Sequence, residues 1–422
     1  MIVYLGVDWA ASAAETSVAF GMDRPCRFKK LARGAKQVRD AIADLASRSE
    51  VIEVRVIIES GAPGWVELFH EAGARVFVVD AAQSKAFAAS LRSSGAKCDG
   101  SDADMMVLMG QSPVHAEREW KPRSAIVEAQ DHLVRAHVSA GNRQCQAQQR
   151  LRALLREHLL PVEVGLKNLD RKWVWRLLHA APTSFHAAKL SRSEFDALMD
   201  GTGIQRTTRN RMWDCLTAAA ARPVDETLAK GLAARVRAMV DDIEHYADQK
   251  AEIESELDAL TAGLELRQTL ESIDGIGKTL SQHLMAVGFD IEAAPRDRDD
   301  VAIRMGAAPV FVGTGDKKNG KGKKGYVKMR RSASSLARRT TYLLGRLASQ
   351  NLAWAKAQYA HARSRGKNAA TAYRIVARSL LRILSAIIRN NEPYDEERYI
   401  RRLIAQGVPW AADLLPVRPE PA

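Results

Sequence analysis

Cysteine is scarce in this chain of 422 residues: Cys26, Cys98, Cys145 and Cys215 are scattered, and none forms a C-x-x-C pair. A zinc knuckle is thereby disfavoured, a disulfide framework has no support, and free thiols suit a reducing compartment. No apolar run reaches the roughly 20 residues that a membrane-crossing helix needs. The N-terminus lacks a basic segment followed by a long apolar core, and Asp8 interrupts it early. A cytoplasmic protein with no membrane partner is therefore expected. Aromatic residues make up 6% and hydrophobic residues 46%, proportions that allow sizeable cores. The length suits about two or three domains. Acidic residues are outnumbered: 63 Lys and Arg face 50 Asp and Glu, a formal net charge of +13. Such a chain is biased toward polyanions, with an attraction that weakens steeply with salt.

Among the acids that are present, four stand where a metal-dependent nuclease would need them. Asp8 interrupts the apolar run Ile2–Val7, and Glu59 closes Val54–Ile58. Both runs read as buried strands with a carboxylate where the apolar stretch stops. Asp99 and Asp102 are three apart, just before the helix-like Ala103–Gly110, so one helical turn would set them on one face. Converging carboxylates repel one another unless a divalent cation neutralises them, and hard oxygen ligands suit Mg2+ or Mn2+. The competing reading makes each acid a solvated strand or helix end.

Residues 1 to about 112 alternate strand signals, at 2–8, 16–22, 53–58 and 75–80, with helix signals at 36–47 and 64–72. This indicates a mixed α/β sheet. An acid on the first strand, another ending a later strand and a pair entering a helix is the arrangement of an RNase H-like fold. From about 120 to 270 the pattern turns helical. Ile126–Val138 and Gln148–Leu160 read as helices, and Leu232, Val236, Met239, Ile243, Tyr246, Lys250, Ile253, Leu257 and Leu260 step by four and three. That is a coiled-coil seam, either closed within the subunit or used to dimerise. Beyond 270, Gly275–Ile276–Gly277 before an apolar helix resembles the hairpin of a helix–hairpin–helix element. Gly277–Lys278–Thr279 imitates a Walker A ending, but the required earlier glycine falls on Ser272, so no nucleoside triphosphate site is expected.

A short apolar stretch, Met305–Val312, leads to a glycine- and lysine-rich segment containing Lys317, Lys318, Lys321, Lys323 and Lys324, followed by Lys328, Arg330 and Arg331. No acid interrupts the sequence between Lys317 and Arg339. These side chains are candidates for a nucleic-acid backbone contact. Helical patterns cover 333–348, 353–364 and 371–388, and the proline-rich end from Pro409 is expected to fray.

Taken together, these features resemble one family, the DEDD transposases of the bacterial insertion-sequence 110 group, the bridge-RNA-guided recombinases. The resemblance rests on Gly6–Val7–Asp8, Ile57–Ser60 and Lys97–Ala103, then Ile273–Gly277, Gly306–Pro309, Gly313–Gly315, Met329–Arg331, Tyr359, Arg365–Lys367 and Pro393–Asp395. It implies a RuvC-like domain over 1–115, a helical coiled-coil linker over 116–268, a mostly helical C-terminal transposase domain over 269–400 and a tail over 401–422. It also implies DNA as substrate, a structured guide RNA encoded by the element, Mg2+ held by the four carboxylates, and dimers or tetramers. A serine hydroxyl normally attacks the scissile phosphate in this family; here that position is Thr314, before Gly315. Threonine also carries a hydroxyl, though its methyl crowds attack. Three readings follow: Thr314 as a working nucleophile, an attenuated or inactive chain, or substitution by a nearby residue such as Ser332. A hydrolytic RuvC-like nuclease and a site-specific DNA invertase are the alternative readings.

Overall fold

The computed structural model describes residues 1–48, 50–91, 101–112, 119–158, 169–220, 224–289, 295, 297, 299–312, 326–328, 330, 333–412 and 414. The chain divides into two compact units, Met1–Ser124 and Ala125–Ala422.

The first unit is built on a five-stranded sheet in the order β3-β2-β1-β4-β5. Its strands are β1 (Ile2–Trp9), β2 (Ala13–Phe20), β3 (Cys26–Ala32), β4 (Glu53–Glu59) and β5 (Arg75–Val79). β1, β2 and β3 are antiparallel neighbours, whereas β1, β4 and β5 run parallel. Parallel pairing needs crossover helices, and these are α1 (Ala35–Ala46) and α2 (Pro63–Glu71). Then follow α3 (Ala81–Leu91) and α4 (Ser101–Gln111). One sheet face, with Val3, Leu5, Val7, Val56 and Ile58, buries against Ile42, Leu45, Trp65 and Phe69 of the crossovers. The other face, with Tyr4, Ile57, Phe77 and Val79, packs on Met106, Val107 and Met109 of α4. With both faces covered, β1 and β4 have to be nearly continuous apolar runs.

Strand β3 has no apolar alternation to announce it. It reads Cys-Arg-Phe-Lys-Lys-Leu-Ala and is mostly exposed, as suits a charged edge strand that resists further pairing. The second strand lies at 13–20, three residues earlier at its start than the apolar run suggests, because antiparallel register with β1 sets its ends. The opposite edge gains a bridge between Phe77 and Glu119, and Arg75 pairs there with both Glu53 and Glu119.

Among the described residues, the second unit is helical apart from the two-stranded ladder of β6 (Val310–Val312) and β7 (Tyr326–Lys328). It opens with α5 (Ala125–Glu157), continues through α6 (Lys172–Ala180), α7 (Ser184–Ala187), α8 (Arg192–Met199) and α9 (Arg206–Ala220), and reaches the 36-residue α10 (Glu226–Thr261). The two helices expected at 126–138 and 148–160 are one continuous helix. Gly141 weakens its middle by about 1 kcal/mol relative to alanine, but apolar turns on both sides, from Val134 to Leu155, are buried and carry it through.

Helices α5 and α10 pack side by side in opposite directions. Val134 clusters with Leu257, His137 bonds Glu254 at 2.9 Å, Arg143 lies over Tyr246, and Leu151 clusters with Val236. Leu232, Val236, Ile243 and Leu257 of the seam are thus buried within the chain itself. Met239, Tyr246, Lys250, Ile253 and Leu260 remain half-buried.

The remaining helices are α11 (Glu265–Glu271), α12 (Lys278–Val287), α13 (Asp300–Arg304), α14 (Ser335–Asn351), α15 (Ala353–Ser364), α16 (Ala369–Asn390) and α17 (Glu396–Ala405). They share a core containing Leu280, Leu284, Phe289, Leu344, Trp354, Leu380 and Leu384. Gly275, at φ 89°, turns the chain between α11 and α12. Helices α14 and α16 cross so closely that a Cβ on Gly345 would lie 2.0 Å from the Tyr373 carbonyl oxygen. Pro409–Ala411 forms a short 3-10 turn with Ala411 buried, so the start of the tail is packed where fraying was expected.

A polar seam crosses the middle of this unit. His283 Nε2 lies 3.3 Å from His137 Nδ1, and His137 Nε2 lies 2.9 Å from Glu254. Glu254 can accept from His137 Nε2, and one of the two facing ring nitrogens, His137 Nδ1 or His283 Nε2, donates to the other. Burial, together with His137 and Arg339 nearby, pushes the His283 pKa down to about 4. Its Nδ1 is buried with no hydrogen-bond partner among the described residues.

Candidate active site

The site is assembled by register first and helix docking second. Tyr4, Gly6 and Asp8 alternate onto one face of β1. The parallel ladder pairs Gly6 with Ile57 and Val7 with Ile58, so one residue further on Asp8 stands beside Glu59. Ile57 and Glu59 project to the same side as Tyr4, Gly6 and Asp8, which is the side that α4 covers.

Gly6 admits that helix. A Cβ there would lie 2.1 Å from the Ala103 carbonyl oxygen and 2.8 Å from the Val107 nitrogen. Gly110, one end further along, faces Ile57 and Tyr4 at 2.4 and 3.1 Å by the same measure. Helix α4 therefore runs against the direction of β1, and its first turn, with Asp102, lies at the Asp8 end. Two acids in that turn, Asp102 and Asp104, are favoured by the positive end of the helix dipole.

Asp8 and Asp102 are exposed, and Glu59 is half-buried. Ser84 Oγ of α3 donates to Glu59 Oε2 at 3.4 Å, and Trp9 Nε1 donates to the Glu59 carbonyl at 3.1 Å. The sequence reading missed two further acids on this face. Glu15 sits directly opposite Asp8 on β2 and is paired with Lys30 at 2.9 Å. Asp104 keeps Oδ1 buried without a hydrogen-bond partner among the described residues. Cross-strand register with Asp8 would have flagged Glu15 had the second strand been placed correctly.

Asp99 lies outside the described residues, as do Thr314, Lys317, Lys318, Lys321, Lys323, Lys324, Arg331 and Ser332. Among the described residues no group of three or more His, Cys, Asp or Glu side chains is spaced to hold a metal ion. Asp8, Glu59 and Asp102 thus share a sheet face and an end without closing into a three-ligand cage. In kind the donors fit a hard divalent cation, being oxygen-only and open to solvent at strand ends. Of the expected nucleic-acid contacts, Lys328 is exposed on β7, and Arg330 is half-buried with its Nε lacking a partner among the described residues. No helix of the described residues is long and apolar enough to cross a membrane.

An α/β domain with carboxylates gathered at one end of its sheet, followed by a basic helical unit, is the class of protein these observations define. Residues 5–160 match the family model of the IS110 DEDD transposases, so this stretch of the chain is similar to that transposase family. The resemblance read from Asp8, Glu59 and their neighbours is borne out at the level of the family. No curated protein matches the chain.

Proposed function

We propose that this protein is the transposase of a bacterial mobile element, cleaving and rejoining DNA by metal-dependent phosphoryl transfer. One observation carries the reading: within the family-matched stretch, Asp8, Glu59 and the Asp102 turn of α4 share one face at one end of the sheet. In this reading the first unit has RuvC-like, RNase H-like topology, and Asp8, Glu59, Asp99 and Asp102 hold Mg2+ or Mn2+. A divalent ion there supplies charge neutralisation for a phosphodiester and for its attacking oxygen. Thr314 provides that oxygen. Lys317, Lys318, Lys321, Lys323, Lys324, Lys328, Arg330 and Arg331 hold the nucleic-acid backbone. A structured guide RNA from the element selects the DNA, and the chain works as a dimer or tetramer with domains at 1–115, 116–268 and 269–400.

Full-length protein, labelled junction DNA, Mg2+ or Mn2+ and the element's noncoding transcript make the test. A covalent protein–DNA adduct that disappears in Thr314→Ala, together with cleavage that disappears in Asp8→Asn, is the expected result. Hydrolysed ends without an adduct would convert the reading to a water-using nuclease. Neither cleavage nor strand transfer under any divalent ion would overturn it.

A further inference from the structure

Two arginines, Arg338 and Arg374, line a cavity at the turn that follows α13, and the Arg330 backbone closes on the same turn. Gly306 there has φ 73°, and a Cβ on it would meet Ala333 Cβ at 2.9 Å and both the Arg330 carbonyl oxygen and Arg338 Cγ at 3.4 Å. Thr341 Oγ1 of α14 donates to the Met305 carbonyl at 2.9 Å and fixes the turn. Between this turn, α14 and the first turns of α16 lies a cavity of about 40 Å3, lined by Gly306, Arg338, Thr341, Tyr342 and Arg374 among others.

What marks the cavity is missing countercharge. No Asp or Glu occurs between Asp316 and Glu392, so anions must reach these helices from elsewhere. Arg374, Arg378 and Arg382 follow one another at four-residue spacing on α16, hence on one face. Asp299 serves two of them, meeting Arg378 at 3.3 Å and Arg382 at 2.6 Å. Neither Arg374 nor Arg338 makes an ion pair or side-chain hydrogen bond among the described residues, although both are half-buried. Burial alone holds the Arg374 pKa below its ordinary value, yet a guanidinium stays charged. A desolvated positive charge without a partner is costly, and the half-buried Arg338 lines the same cavity.

We propose that Arg338 and Arg374 form a receptor for a single phosphate group of a nucleic-acid backbone. The volume admits a few water-sized groups, on the order of one oxyanion, and excludes a base. Two guanidinium forks match phosphate oxygens in geometry and charge. The assignment to nucleic acid rests on the transposase reading; the oxyanion chemistry does not. A phosphodiester is common to DNA and RNA, so both are tested.

The experiment titrates full-length protein, wild type, Arg374→Gln and Arg374→Lys, with labelled duplex DNA and with labelled RNA at several salt concentrations. Arg374→Gln is expected to weaken binding of one polymer several-fold and to lower its salt slope by about 1, the signature of one lost phosphate contact. Arg374→Lys should retain most of the slope. Inorganic phosphate, against chloride at equal ionic strength, should raise the Tm of wild type more than that of Arg374→Gln. Without ligand, Arg374→Gln should melt no lower than wild type, whereas Arg378→Gln, which breaks a made ion pair, should melt lower. Nucleic-acid binding with an unchanged slope on both polymers would overturn the receptor and leave the transposase reading intact. A ligand-free Tm loss matching that of Arg378→Gln would make Arg374 structural and also overturn it. Phosphate discrimination without binding of either polymer would support the receptor and count against the transposase reading.

Discussion

The two units treat charge in opposite ways. In the first, acids gather at one end of the sheet: Asp8 beside Glu59, Glu15 across from Asp8, and Asp102 in the helix turn above them. In the second, a long stretch before Glu392 contains no acid, and Asp299, just before α13, is shared by Arg378 and Arg382. A net charge of +13 averages over this segregation and conceals it. Under the proposed transposase reading, the first region would serve cations and the second phosphates, a division of labour that phosphoryl transfer requires.

The sharpest test of the contrast removes charge from the first unit. Asp8→Asn should lower divalent-dependent DNA cleavage on the order of 100-fold or more, the scale of losing one preorganised electrostatic group. Because Asp8 is exposed, its unfolding midpoint in urea should stay near that of wild type. Collapse of both activity and stability would make Asp8 a structural residue and remove the contrast.

Both units also rely on a glycine where two elements touch, and here they should behave alike. Gly6→Ala would drive a methyl against the Ala103 carbonyl, and Gly345→Ala would drive one against the Tyr373 carbonyl. Neither backbone oxygen can rotate away, so each substitution should cost about 3 kcal/mol by urea unfolding. Gly6→Ala should in addition lower cleavage, since α4 carries Asp102. Loss of stability without loss of activity would separate the helix docking from the site.

How far the sequence announced all this depended on what each residue faces. Strands β1, β4 and β5 were readable because burial on both faces makes them continuous apolar runs ending in an acid. Strand β3 was not, since an exposed edge selects charge over alternation. Glu59 and Asp102 could be nominated from position alone, but their common face depends on the pairing of Val7 with Ile58 and on the room left by Gly6. Arg374 was invisible for a different reason. On α16 it follows the same spacing as Arg378 and Arg382, and only the position of Asp299 distinguishes a paired arginine from an unpaired one.

The α5–α10 pair sets a further test, because the same seam could in principle serve a partner. Leu257 is fully buried in a cluster with Val134, Ala286 and Leu336 of its own chain. Leu257→Ala should therefore cost about 2–4 kcal/mol through lost burial and a residual cavity. The loss should not vary with protein concentration, and sedimentation should be unchanged. A midpoint that shifts with concentration would mean that the buried face also belongs to an assembly.

The smallest effect expected comes from acidification, and it distinguishes the units by which groups they bury. His283 is 4% exposed, and burial has pushed its pKa down to about 4 from an unfolded value near 6.5. Since the unfolded chain binds the proton more readily, the stability tied to neutral His283 is complete above about pH 6.5 and is lost as pH falls toward 4. The loss should reach about 2 kcal/mol by pH 5, read as a falling urea midpoint as pH drops from 6.5. His283→Gln should flatten the fall, because an amide does not titrate. Asp8 is exposed on the other unit, so Asp8→Asn should leave the same window unchanged. If it shifts the window as much as His283→Gln does, the acid sensitivity does not arise from the buried histidine pair.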